Sequence, residues 1–154
     1  MTGPSPSVNG FTLLELLVVL AIAVLLVSIT PPLLTAAIPG VELKAAARQT
    51  AAGLRLAREE AIRSGRDAAF TLDLESHSFR VDGGFRTTHL PSGLRVKLVA
   101  AESEMQGEQT GSIRFFPDGS STGGRVILSR GDSGYQVGVE WLTGRIRMAA
   151  WEAK

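Results

Sequence analysis

Gly10-Phe11-Thr12-Leu13-Leu14-Glu15 opens an apolar run, LLVVLAIAVLLVSIT over residues 16–30, that closes on Pro31-Pro32. The twenty residues from Phe11 to Thr30 include only Thr12, Glu15, Ser28 and Thr30 as polar side chains. A helix needs roughly 20 mostly apolar residues to cross a bilayer core. Such a segment satisfies its own backbone groups only as a helix, so its β-branched residues are no obstacle. Pro31 and Pro32 are expected to break or kink it, because proline lacks the N–H and clashes with the preceding turn. A buried core helix is the plain alternative. A cleaved secretory signal fits worse, since it needs a basic start and a small-residue cut site soon after the apolar stretch.

The rest of the chain differs sharply. No Asp, Glu, Lys or Arg occurs between Glu15 and Glu42, and all sixteen basic residues follow that gap. The overall charge of +1 and 44% apolar content describe neither a disordered chain nor a nucleic-acid coat. The absence of cysteine in 154 residues excludes disulfides and thiolate metal sites.

Glu15 is the anomaly within the apolar run. A charged residue at the centre of a membrane helix costs on the order of 2.5–3.5 kcal/mol on insertion scales, and less near an end. Two roles are open. Thr12-Leu13-Leu14-Glu15 fits the capping box, in which both side chains satisfy first-turn N–H groups. Alternatively, the carboxylate meets a charge partner within the membrane.

Gly10 to Glu15 with the following run resembles the prepilin signature of type IV pilins and type II secretion pseudopilins. That resemblance implies a leader over residues 1–10, a hydrophobic transmembrane and assembly helix over 11–40, and a head over 41–154. It implies that prepilin peptidase cuts between Gly10 and Phe11 and methylates the new Phe11 amine. It further implies that Glu15 pairs with the N-terminal amine of a neighbouring subunit during assembly. Two charges that are costly in lipid then neutralise each other, and removing either strands the other. The segment 41–66 holds Lys44, Arg48, Arg55, Arg58, Arg63 and Arg66 against Glu42, Glu59 and Glu60. The positive-inside rule alone would put this side in the cytoplasm. The resemblance instead implies a single pass through the inner membrane with a periplasmic head.

Beyond Pro39-Gly40, Leu43, Ala47, Thr50, Leu54, Ala57 and Ala61 recur at helical spacing and form one narrow stripe of mostly small residues. The spacing predicts a helix over 41–64 packed on a sheet, with Ser64-Gly65 as its stop. The period then changes to two. Strands are expected at 68–74, 78–81, 95–99, 113–116, 125–128, 135–142 and 145–148, within a β-rich region 67–151. Thr143-Gly144 reads as a compact turn and AAESEMQGEQTG, 100–111, as a mobile loop. A single long helix on an antiparallel sheet makes the fold class α+β.

Three stretches carry a second resemblance: AAGLRLAREEAIRSG at 51–65, FFPDGSSTGG at 115–124 and VEWLTGR at 139–145. They look like the GspH/FimT pseudopilin family. The resemblance implies a minor pseudopilin of the type II secretion system, a pilin-like structural subunit of a short periplasmic filament that helps export folded proteins. Its implied partners are prepilin peptidase, other major and minor pseudopilins, and the inner-membrane secretion platform.

Chemistry is sparse. The chain has no H-E-x-x-H, G-x-S-x-G, P-loop or Rossmann pattern. His77 and His89 are isolated beside turns. Asp118 to Gly124 offers one carboxylate with hydroxyls, too few oxygens for a calcium loop. No catalytic residue, metal or cofactor is expected, and a membrane-anchored enzyme is the weakest of three readings. The competing one rests on Gly144-Arg145-Ile146-Arg147. Period two puts Arg145 and Arg147 on one strand face, where they could meet successive phosphates. This resembles the Gly-Arg-x-Arg motif of the FimT branch, minor type IV pilins that bind DNA for natural transformation. A charged strand face that protects a sheet edge is the plain reading.

Overall fold

The computed structural model describes residues 12–84 and 86–152, and within them the side chains outside 27–39 and 152. The order is α1 (Leu13–Ser64), β1 (Ala68–Asp73), β2 (Ser78–Val81), β3 (Thr88–His89), β4 (Arg95–Ala100), a 3-10 turn at Glu102–Glu104, β5 (Met105–Gln106), β6 (Thr110–Phe115), β7 (Gly124–Arg130), β8 (Ser133–Val139) and β9 (Ile146–Glu152). Two compact units divide the chain, residues 1–38 and 39–154.

Helical backbone continues through Pro31, Pro32 and Pro39-Gly40, so of the break or kink expected at Pro31-Pro32 the break does not occur. Each proline removes one donor of the i to i−4 ladder. The bonds on either side suffice to carry the helix on. Its C-terminus lies where the stop signal put it, with Gly65 in the left-handed region at φ 64°.

Within the second unit the stripe is the buried face of the helix. Leu43, Ala47, Thr50, Leu54, Ala57 and Ala61 are all buried, and the Thr50 hydroxyl donates to the Ala46 carbonyl at 2.9 Å. Small side chains let the sheet approach closely. At Gly53 a Cβ would lie 2.6 Å from the Phe79 ring and 2.9 Å from the Phe70 ring. Those two rings stack at 4.8 Å between centroids.

The β-rich region is two antiparallel sheets, where a single sheet was expected. Their orders are β3-β2-β1-β6-β5 and β4-β7-β8-β9. Phe70, Leu72, Ile113 and Phe115 of the first sheet and Val126, Leu128, Val137 and Val139 of the second share one core with the helix stripe. Alternation along β7 and β8 leaves the opposite face of the second sheet open to solvent.

The segment 100–111 also departs from expectation. It holds the 3-10 turn, β5 and the start of β6. Arg114 Nε and Nη2 donate to the two Glu104 carboxylate oxygens at 2.9 and 3.3 Å. This two-pronged pair pins the segment to β6, and the Glu104 carboxylate raises the Arg114 pKa further. His77 lies in the β1–β2 turn with a positive φ of 47°. His89 stands in the short strand β3 opposite Ser78, a strand partner and not a turn residue.

Candidate assembly interface

Gly10 and Phe11 lie outside the described residues. The Thr12 hydroxyl accepts from the Glu15 N–H at 3.2 Å while its carbonyl accepts from the Glu15 and Leu16 N–H groups at 3.1 and 3.2 Å. Thr12 is therefore the N-cap of α1. The half of the capping box that the threonine supplies is present. Among the described residues the Glu15 carboxylate makes no hydrogen bond or ion pair, so its side is left available for another partner.

Around Glu15 the helix surface is apolar on every side. Leu13, Leu14, Leu16, Leu17, Val18, Val19, Leu20 and Ile22 are exposed, from 47% at Val18 to 82% at Leu13. A helix that is apolar all round belongs in a membrane or in a protein core. Burying one such side chain is worth about 1.5–3 kcal/mol. Among the described residues no helix is long and apolar enough to cross a membrane; Phe11 and the side chains of 27–30, at the two ends of the predicted span, fall outside that description.

In the second unit, a knot joins the three stretches 51–65, 115–124 and 139–145. Arg58 Nε donates to the Gly119 carbonyl at 3.1 Å and its Nη2 to the Thr143 carbonyl at 3.4 Å. The Ser121 N–H donates to the Trp141 carbonyl at 2.8 Å. Asp118 accepts from the Ser120 hydroxyl at 2.6 Å and the Ser120 N–H at 2.9 Å, and these bonds hold its carboxyl below the usual carboxylate range. Asp118 thus folds its own loop. Among the described residues no group of His, Asp or Glu is arranged to hold a metal ion.

The β8–β9 connection is longer than the two-residue turn expected at Thr143-Gly144, because β8 ends at Val139 and β9 starts at Ile146. The Glu140 N–H donates to the Arg145 carbonyl at 3.0 Å, and the Gly144 N–H to the Glu140 carbonyl at 2.8 Å. Trp141 and Leu142 stand out at its tip, 67% and 63% exposed. Arg145 sits just before β9 and Arg147 within it. Both are exposed and line one shallow depression on the outer sheet face. Arg125 lines the same depression. It was missed in the sequence because only strand register brings it there, opposite Gly138 and one strand further from Arg147.

An apolar N-terminal helix bearing one carboxylate, followed by a helix half packed on two antiparallel sheets, defines a pilin-type subunit. Solved structures share the fold. The minor pseudopilin EpsH from the type 2 secretion system of Vibrio cholerae matches with a TM-score of 0.56 at 21% identity, covering 71% of this chain and 97% of that one. The type IV minor pilin FimU of Pseudomonas aeruginosa matches with a TM-score of 0.53 at 18% identity, covering 70% and 92%. Residues 46–143 match the family model for type II transport protein GspH, and residues 6–30 match the prokaryotic N-terminal methylation motif. Type II secretion system protein H of Xanthomonas campestris pv. campestris is 36% identical over 139 residues, 90% of this chain and 82% of that protein. The chain belongs to the GspH family.

Proposed function

We propose that this chain is a minor pseudopilin of the type II secretion system, a non-catalytic structural subunit that helps export folded proteins across the outer membrane. The observation that carries the reading is the apolar surface around Glu15, joined in one chain to a head that has its own core. Before assembly the apolar segment rests in the inner membrane, with the head in the periplasm. Prepilin peptidase cuts between Gly10 and Phe11 and methylates Phe11. The freed segment then moves from lipid into the filament core among other pseudopilins, above the inner-membrane platform. There Glu15 meets the amine of a neighbour, so neither charge is buried alone. The match to the methylation motif over residues 6–30 supports this processing step.

A second reading has its own observation. Arg145 and Arg147 share an exposed sheet face with Arg125, a geometry that can contact phosphates in DNA uptake. One experiment separates the two: deletion of the gene, scored in parallel for exoprotein secretion and for DNA uptake. Loss of secretion with normal uptake is the expected result. Loss of uptake with normal secretion would replace the first reading by the second.

A further inference from the structure

The outer face of the sheet β4-β7-β8-β9 orders its charges in a way that the Arg145/Arg147 pair alone does not reveal. Register places Val99, Arg125, Gly138 and Arg147 in one row across the four strands. Lys97, Ile127, Gln136 and Ala149 make the next row, and Arg95, Ser129, Gly134 and Trp151 the third. Arg145 continues the first side of this array, since its carbonyl still accepts from Glu140. The cations therefore run diagonally. They start at Arg145 just before β9 and Arg147 within it, pass through Arg125 on β7, and end at Lys97 and Arg95 on the β4 edge. All five are exposed, and they line two neighbouring depressions of one face. Glu140 is the one acidic residue among those lining the two.

The dimensions identify a ligand shape. Strands lie about 4.8 Å apart and same-face residues about 6.8 Å apart along a strand, so the band spans about 25 Å, or about seven residues of extended chain. Arg145/Arg147 and Arg95/Lys97 each repeat the two-residue spacing at which alternate side chains of an extended chain recur. The floor is lowest between Arg125 and Arg147, where a Cβ at Gly138 would meet no atom within 4 Å, and Gln136 and Ile127 form it on the side toward Lys97. Trp151 lines the depression that holds Arg95 and Lys97, with its ring packed on Gly134, where a Cβ would sit 2.4 Å from the ring. It is the one Phe, Tyr or Trp among the residues lining the two depressions, whereas sequence-tolerant binding of single strands stacks successive bases on several rings.

We propose that this diagonal band docks an extended acidic segment of a partner protein, with carboxylates at alternate positions that face the guanidinium and ammonium groups. The proposal goes beyond the assembly reading and is tested apart from it. The full chain in neutral detergent is titrated against a fluorescent eight-residue peptide of alternating Glu and Ser at physiological salt. Binding is expected to weaken about tenfold in Arg125→Gln/Arg147→Gln and in Gly138→Glu, which puts a carboxylate in the open space between the two arginines. Arg48→Gln/Arg80→Gln removes the same charge from exposed positions off the band and is expected to bind as the parent does. Three outcomes would overturn the proposal: no binding of the peptide, equal weakening by both double variants, or tighter binding of an eight-nucleotide oligothymidylate than of the peptide.

Discussion

Gly144 lies so close to Gly119 that a Cβ on Gly144 would stand 2.1 Å from the Gly119 carbonyl oxygen. Gly144 also holds a φ of 60°, a left-handed conformation that other residues adopt at a cost. The β8–β9 connection and the 115–124 loop can meet only because this position has no side chain. Gly144→Ala is expected to destabilise the head by about 2–4 kcal/mol, from backbone strain and overpacking together. Thermal melting followed by tryptophan fluorescence checks this. Gly138→Ala, in open space and without a positive φ, is the contrast and should melt within a degree or two of the parent.

Arg58 holds the same junction from the helix side. Its Nε and Nη2 reach two carbonyls on different loops, a task that suits a planar fork better than a single ammonium. Arg58→Lys is therefore expected to lose most of what Arg58→Ala loses, about 1–2 kcal/mol. The same melts decide it. Full rescue by lysine would mean that charge, and not the fork, is what the junction uses.

The Asp118 loop should respond to acid. Hydrogen bonds from the Ser120 hydroxyl and N–H lower the Asp118 pKa in the folded state. A depressed carboxyl pKa stabilises the fold above the unfolded value, about 3.9, and that contribution is lost as pH falls through the folded value. Asp73 behaves alike, its carboxyl lowered chiefly by the Ser76 N–H. Carboxyl-carbon NMR titration is expected to place both midpoints below that unfolded value. Midpoints at or above it would remove the turn hydrogen bonds from the account.

Processing can be tested at one bond. Gly10→Arg puts a long charged side chain at the proposed cut, and immunoblots of membranes should then show only the unprocessed form. A mature-size band from this variant would place the cut elsewhere.

The helix stripe could be read from the sequence because it is local: Leu43 to Ala61 recur at helical spacing, and all are buried. The strand pattern 68–74 and 78–81 was legible for the same reason, as β1 and β2 end within one residue of it. What stayed hidden depends on distant partners. Glu104 and Arg114 look like ordinary surface charges until pairing of β5 with β6 brings them together. The split into two sheets lies in strand order, which periodicity does not encode. The Arg145/Arg147 pair followed from period two, whereas Arg125 joined them only through two steps of register. At Pro31 and Pro32 the sequence left a break or a kink open, and the continuous helix excludes the break.

The central claim is that Glu15 acts in assembly and not in folding. Its most direct test replaces the gene with Glu15→Leu and measures exoprotein in the medium beside the amount of this chain in the membrane. The account predicts normal membrane levels, since Glu15 is exposed and its N–H, not its carboxylate, bonds the Thr12 cap, together with a loss of most secretion. Full secretion by Glu15→Leu at normal membrane levels would contradict it.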